Sequence, residues 1–223
     1  MFTRQMVVVT TTNWNAVSGR LWRFERADDK SPWKAAGGAV PVMVGRTGLA
    51  WGSGVHPAPG LRGPVKHEGD GKSPAGIFRL SAAFGSELPA TMAAPKMPFR
   101  QLTPGVECVD DVKSVKYNSI VDREHAGTVD WNSSEKMLAV GRRYRLGVVV
   151  EHNTNPTEPG GGSCIFLHIW LNPETPTTGC TAMSDADMET LLPWLDPAMS
   201  PVLVQLPESE YQKLRPEWRL PNL

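Results

Sequence analysis

The sequence predicts a mainly β protein of the α+β kind, on three observations. Short runs rich in β-branched, aromatic and Leu residues recur along the whole chain. Gly 21 and Pro 20 in 223 residues exceed the ~12% these two types usually contribute, which favours many turns without implying disorder. Only one stretch carries a full set of helix signals.

The expected strands, in order, are Met6–Thr12, Leu21–Glu25, Val40–Val44, Ile77–Leu80, Tyr144–Glu151, Cys164–Leu171 and Val202–Leu206. Clusters of Gly, Pro, Asp and Ser at Gly52–Gly63, Gly69–Gly76 and Asn153–Gly162 separate them as turns and long loops. The expected helix starts at Ser184-Asp185-Ala186-Asp187, which resembles a capping box with Asp in the Glu position. Met183 and Met188 are placed as a staple, and Met188, Leu191, Leu192 and Leu195 form an apolar stripe. Pro193 should end or kink this helix by about Leu192. At Asn132-Ser133-Ser134-Glu135 the residues are compatible with a helix start or with a capped surface turn.

With 40% hydrophobic residues the chain can bury one substantial core, and nothing in it reads as a linker, so residues 1–223 are expected to form one domain. Lys plus Arg (23) balance Asp plus Glu (23), and no local basic patch is visible, which argues against nucleic acid as a partner. The longest apolar runs fall far short of the roughly 18 or more residues of a spanning helix, so no membrane-crossing segment is expected. Met1–Thr12 is too weak for a secretory signal, leaving a cytoplasmic chain or one whose leader has been removed. The eight Trp residues are spread along the sequence, which fits packing better than a sugar-stacking platform.

In Cys164–Leu171 the side chains alternate. Ile165, Leu167, Ile169 and Leu171 make an aliphatic face that should look into the core, and Cys164, Phe166, His168 and Trp170 make the other. A lone strand histidine is usually structural, but Cys180 follows twelve residues later in Pro176-Thr177-Thr178-Gly179-Cys180-Thr181. Gly179 allows a sharp turn just before the helix. An exposed sulfur there would have backbone N–H groups for an oxyanion, a small helix-dipole contribution and His168 as its base. The competing zinc reading fails on spacing, because Cys164 and His168 lie about 13 Å apart along a strand. No metal and no cofactor are expected.

These residues resemble the YkuD-type L,D-transpeptidase catalytic domain. Thr177-Thr178-Gly179-Cys180 after His168 matches its Ser/Thr-x-Gly-Cys signature. Glu68-Gly69-Asp70-Gly71-Lys72-Ser73-Pro74-Ala75-Gly76-Ile77-Phe78 is similar to its upstream block, and His152-Asn153 with Pro156 to the loop before the histidine strand. The likeness runs from about 40 to 207, and is to the branch that carries this domain without a peptidoglycan-binding module. It implies two packed mixed sheets with one helix after the catalytic loop, and a cell-envelope location, periplasmic or secreted. The implied substrates are peptidoglycan stem peptides and the implied inhibitors carbapenems. Cys180 would attack the carbonyl between diaminopimelate and D-Ala, with His168 as base and then acid. Gly179 and Cys180 amides would hold the oxyanion, and the acyl group would pass to an amine. Thr177 would orient the loop or imidazole, or serve only as a turn hydroxyl. Thr178, His152, Asn153 and His67 are candidate substrate contacts, with His67 and His152 at the cleft rim. Many members carry Arg or Asn two residues after the nucleophile where this chain has Ala182, which removes that candidate carboxylate clamp.

Cys108, in Val106–Asp111, reads as lying on a strand running into a turn. It either pairs with Cys164, which would support an extracytoplasmic home, or both are buried thiols. Lys66, His67, Glu68 and Asp70 are expected on an exposed loop. Two other functions fit the same residues: an L,D-carboxypeptidase, in which water resolves the thioester, and an inactive envelope-binding domain.

Overall fold

The computed structural model describes residues 3–57 and 62–223, so the middle of the expected loop at Gly52–Gly63 lies outside the described residues. Fourteen strands follow in chain order: β1 (Gln5–Thr11), β2 (Ser18–Glu25), β3 (Lys34–Ala35), β4 (Val40–Met43), β5 (Leu49–Trp51), β6 (Ser73–Gly85), β7 (Phe99–Gln101), β8 (Val106–Val109), β9 (Ile120–Asp122), β10 (Ser134–Lys136), β11 (Gly147–Val150), β12 (Phe166–Ile169), β13 (Thr181–Met183) and β14 (Val202–Pro207). Helices α1 (Asp185–Trp194) and α2 (Glu208–Trp218) lie near the C-terminus, with 3-10 segments at Met137–Tyr144 and Pro197–Met199.

The mainly β expectation agrees with this architecture, whereas the two packed mixed sheets do not. One mixed sheet runs β1-β14-β6-β11-β12-β13-β4-β2 and closes, because β2 pairs with β1 as well as with β4. Closure gives the backbone groups of β1 and β2 partners on both sides and removes two edges. β3 hangs from β2, and β5 and β7 from β6. A second, wholly antiparallel sheet of β10-β8-β9 lies apart from the barrel path. The larger core collects Val7, Val8, Phe78, Leu167, Ile169, Leu191 and Leu203. Phe84, Phe166, Met137, Tyr144, Cys108 and Cys180 form a separate cluster.

Helix α1 starts as the sequence predicts: the Asp187 N–H donates to Ser184 Oγ at 3.1 Å, and the Ser184 hydroxyl donates to the Asp187 carboxylate at 2.5 Å. It runs two residues past the expected stop, because Pro193 lies near its end and removes a single intrahelical donor. Asn132–Glu135 begins neither a helix nor a plain turn; Ser134–Lys136 is β10, and Met137–Tyr144 is 3-10. Tyr144 therefore leaves the expected strand, which starts at Gly147. α2 was hidden by Pro216 and by the lack of a side-chain cap. Its Glu208 and Glu210 in the first turn and Arg215 in the last are the dipole signals that mark it. Leu171 departs from the expected core face and is 64% exposed, because β12 ends at Ile169.

Candidate active site

β12 and β13 run parallel, with Leu167 opposite Thr181 and His168 opposite Ala182. Cys180 therefore lies beside Phe166, one side-chain repeat from His168 on the same face, an offset of about 6.6 Å. Both residues line a cavity of about 90 Å³ together with Tyr144, Arg143, Glu135 and Trp170. A second cavity of about 260 Å³ opens on Cys180 beside Arg46, Asp110, Glu135, Ser163 and Thr178.

The loop that presents Cys180 is tied down by its own hydroxyls. Thr177 Oγ1 donates to the Cys180 carbonyl at 2.6 Å and accepts the Gly179 N–H at 3.1 Å. Ser73 Oγ donates to the same carbonyl at 2.8 Å and accepts the Gly45 N–H at 2.8 Å. Thr177 is thus bonded to the turn rather than to the imidazole. Gly179 has φ 157°, a conformation that glycine adopts without strain. Its N–H is committed to Thr177, so the expected pair of free oxyanion amides is not present at rest.

The sulfur is buried, not exposed. Cys180 Sγ accepts the Phe166 N–H at 3.3 Å and faces the Cys164 carbonyl at 3.5 Å. Burial pushes its thiol up to about 12, the negative charge of Glu135 adds to that, and the bond from the Phe166 N–H and the neighbouring Tyr144 hydroxyl oppose it. Burial likewise pulls His168 down to about 4, against the opposing bond to Ile169. The resting pair is therefore a neutral thiol and a neutral imidazole, in place of the exposed sulfur activated by His168 that the sequence suggests. His168 Nδ1 lies 2.8 Å from the Ile169 carbonyl, which can only accept, so Nδ1 carries the proton and Nε2 is left basic.

Tyr144 went unmarked in the sequence. Its ring meets His168 edge-on at 5.2 Å, its hydroxyl donates to Glu135 Oε1 at 2.6 Å, and it stands beside the Cys180 thiol. Ser73 lies in the upstream Gly-Asp-Gly block, whose residues read as backbone geometry alone. Glu135 gave only an ambiguous helix-start signal, and Asp110, Arg46 and Arg143 gave none. All of them come from segments distant in sequence: Ser73 from β6, Glu135 from β10, Arg143 and Tyr144 from the 3-10 segment, Arg46 and Asp110 from loops.

Thr178 is exposed and lines both cavities. His152 and Asn153 do not reach either one. His152 Nε2 donates to the Gly161 carbonyl at 3.0 Å, and Asn153 clamps the loop through Glu158 and the Gly162 carbonyl. Both are 1% exposed, so the rim and substrate-contact expectations are corrected to loop anchoring. His67 is exposed but lines neither cavity, because its backbone is pinned by the Asp70 carboxylate at 2.9 Å. Lys66 is not exposed: it is buried and paired with Asp70 at 2.6 Å, so it supports the fold of its loop. Glu68 accepts from Ser163 at 2.7 Å and from the Tyr117 hydroxyl.

Cys108 and Cys164 are bridged, with Cα atoms 6.0 Å apart, fastening β8 of the small sheet to the segment that enters β12. Beside the bridge, Glu107 is buried under Arg123 at 2.9 Å, Trp131 Nε1 at 3.1 Å, Ser134 at 2.5 Å and Lys136. The small sheet thereby holds Glu135 and Asp110 over Cys180.

The sequence that builds this closed barrel and its cysteine–histidine pair matches the model of one protein family. This is YkuD, the L,D-transpeptidase catalytic domain, matched over residues 18–204. The chain belongs to that family. Searches of curated proteins and of solved structures give no significant match. Among the described residues no helix is long and apolar enough to cross a membrane.

Proposed function

We propose that this chain is a cysteine-dependent L,D-transpeptidase acting on peptidoglycan stem peptides outside the cytoplasm. The observation that carries the reading is the placement of Cys180 and His168 on one face of adjacent parallel strands, opening into one cavity. Family membership supports the reaction class.

His168 Nε2 takes the thiol proton as Sγ attacks the carbonyl between the diamino acid and D-Ala, giving a tetrahedral intermediate. The carbon–nitrogen bond then breaks, the imidazolium proton goes to the departing amine, and a thioester remains on Cys180. An acceptor amine loses a proton to His168, attacks the thioester and regenerates the thiol. Because neutral thiol and neutral imidazole dominate at rest, the thiol proton must reach His168 before or during the attack. The Cys180 N–H would donate to the oxyanion, joined by the Gly179 N–H when Thr177 releases it.

The decisive measurement is the mass of the protein after incubation with a defined stem tetrapeptide, together with D-Ala release. The expected result is an adduct that lacks D-Ala, lost in Cys180→Ala. D-Ala release by Cys180→Ala would overturn the covalent mechanism. A cross-linked dimer on adding an acceptor amine marks transfer, whereas free tripeptide alone marks the carboxypeptidase. Labelling of Cys180 by a carbapenem separates both from an inactive binding domain.

A further inference from the structure

Away from Cys180, a cavity of about 740 Å³ opens at the far end of β2, between the loop that follows this strand and the end of α2. Ser18 pairs with Met43, which pairs with Ala182, and Glu25 lies seven residues further along β2, about 23 Å of strand. The cavity shares no lining residue with either of those at Cys180. Its walls carry Arg26, Lys30, Arg215 and Arg219 against one carboxylate, Asp29, in a chain whose formal charge is zero. The contributing segments, 26–33 and 215–222, are remote in sequence, which is why no basic run marks them.

None of the three guanidiniums makes an ion pair among the described residues. Arg26 lies over the Trp33 ring at 4.2 Å and donates to backbone alone, from Nε to the Thr3 carbonyl at 3.0 Å and from Nη1 to the Asp29 carbonyl at 3.4 Å. Asp28 is occupied by the Lys30 and Ser31 N–H groups and the Ser31 hydroxyl. Arg215 Nε is buried with no hydrogen-bond partner among the described residues, and buried donors nearly always have one. The negative end of α2 draws basic side chains, yet the Arg215 and Pro216 carbonyls are already taken by the Leu220 and Arg219 N–H groups. Burial pulls the Arg26 guanidinium down, Asp29 opposes this, and the charge of Arg219 pulls it down further. The two cations thus repel across the cavity, a cost that an anion between them removes.

We propose that this cavity binds an organic phosphate monoester, its phosphoryl oxygens held by the Arg26, Arg215 and Arg219 guanidiniums and its organic part lying against Trp33, Pro216 and Leu220. The planar guanidinium fork matches phosphate oxygens, and four cationic side chains against one carboxylate suit a dianion. The volume falls within the range of small-ligand sites, about 300 to 1,000 Å³, and exceeds what a bare ion fills. A ligand seated there leaves Cys180 open. The site therefore attaches the domain to a phosphate-bearing molecule, and it stands whether or not the acyl-transfer reading holds.

Calorimetry of the full chain with glycerol 3-phosphate, and with glycerol as the blank, tests the site without any turnover. The expected result is one site per chain with Kd about 1 mM or tighter and no binding of glycerol. Arg215→Gln and Arg219→Gln should each weaken binding about tenfold or more. Lys34→Gln, which removes the same charge from an exposed side chain outside the cavity, should leave it within about twofold. Arg219 is exposed, and Gln there keeps the carbonyl that Trp33 Nε1 bonds at 3.0 Å, so this variant reads the site even where Arg215→Gln fails to fold. No binding of glycerol 3-phosphate, undiminished binding in Arg219→Gln, or an equal loss in Lys34→Gln would overturn the proposal. With the calorimetry positive, flotation with phosphatidic acid vesicles against phosphatidylcholine vesicles assigns the source: capture that is lost in Arg219→Gln makes the ligand a lipid headgroup, and no capture makes it a soluble phosphate.

Discussion

In the larger core, Val8, Leu167 and Leu203 are sealed among apolar neighbours, and Phe78 meets the rings of His56 and His152 edge-on at 5.9 and 5.8 Å. Under the small sheet, Phe84, Phe166 and Met137 share their space with Cys180, Tyr144 and a disulfide sulfur. The rings of Phe84, Tyr144 and Phe166 meet edge-to-face at 5.0 to 5.7 Å. Both regions exclude water, yet only the second brings that exclusion to bear on a thiol and an imidazole that line one cavity, shifting the thiol up and the imidazole down. Apolar packing dominates the first, with the buried Gln205 side chain satisfied by Thr181 and the Pro74 carbonyl. The second contains buried polar groups that cost stability, and a covalent bridge and the Glu107 ion cluster hold it shut.

The largest effect that would sharpen this contrast is catalytic. His168→Ala should lower the rate of D-Ala release about 10²- to 10⁴-fold without a matching loss of stability, measured by steady-state kinetics beside thermal melts. An unchanged rate would make the second region as inert as the first.

Stability comes next. Phe78→Ala should cost about 3 to 5 kcal/mol and leave turnover per folded molecule unchanged. Cys108→Ala with Cys164→Ala should cost up to about 4 kcal/mol in the chain-entropy account and lower turnover as well, because the bridge positions the entry to β12. Denaturant titration with activity measured on the folded fraction separates the two, and a bridge variant with full turnover would break the comparison.

Acid provides a third test. His168 and His152 are both held at about 4 by burial, against about 6.5 in an unfolded chain. Between these values the unfolded chain binds protons that the folded protein refuses, so stability falls as pH drops from 6.5 towards 4. Each histidine accounts for up to about 3 kcal/mol. The slope in melting experiments should fall in His152→Gln, with His168 and His56, which burial also lowers, carrying the rest, although His152 lies in a loop away from Cys180; an unaltered slope would show that its burial is relieved before unfolding.

The smallest effect is at the loop. Thr177→Val removes a hydroxyl that bonds the Cys180 carbonyl and the Gly179 amide, and should cost about 1 kcal/mol of stability. Its effect on turnover reads whether freeing the Gly179 N–H improves or spoils the oxyanion site.

Much of the fold could be read locally. β1, β4, β14 and the start of α1 follow from β-branched runs and a Ser–Asp cap, signals carried by a few adjacent residues. Cys180 and His168 were legible for the same reason, since one strand and one tight turn bring them together within twelve residues of sequence. The closing of the barrel was not legible, because β2 pairs with strands on either side of it and no pattern within β2 says so. His152 misled in the other direction: its polar type suggested a rim, while the carbonyl of Gly161 holds it inside.

Alternation of side chains, glycine at a turn that needs φ 157°, and a capped helix start are properties of neighbouring residues, and the sequence by itself determined them. The charge state of the nucleophile belongs to the tertiary structure. Glu135, Tyr144, Asp110 and Ser73 come from separate segments, and only their packing removes the water that would otherwise leave a thiol and an imidazole at their ordinary values.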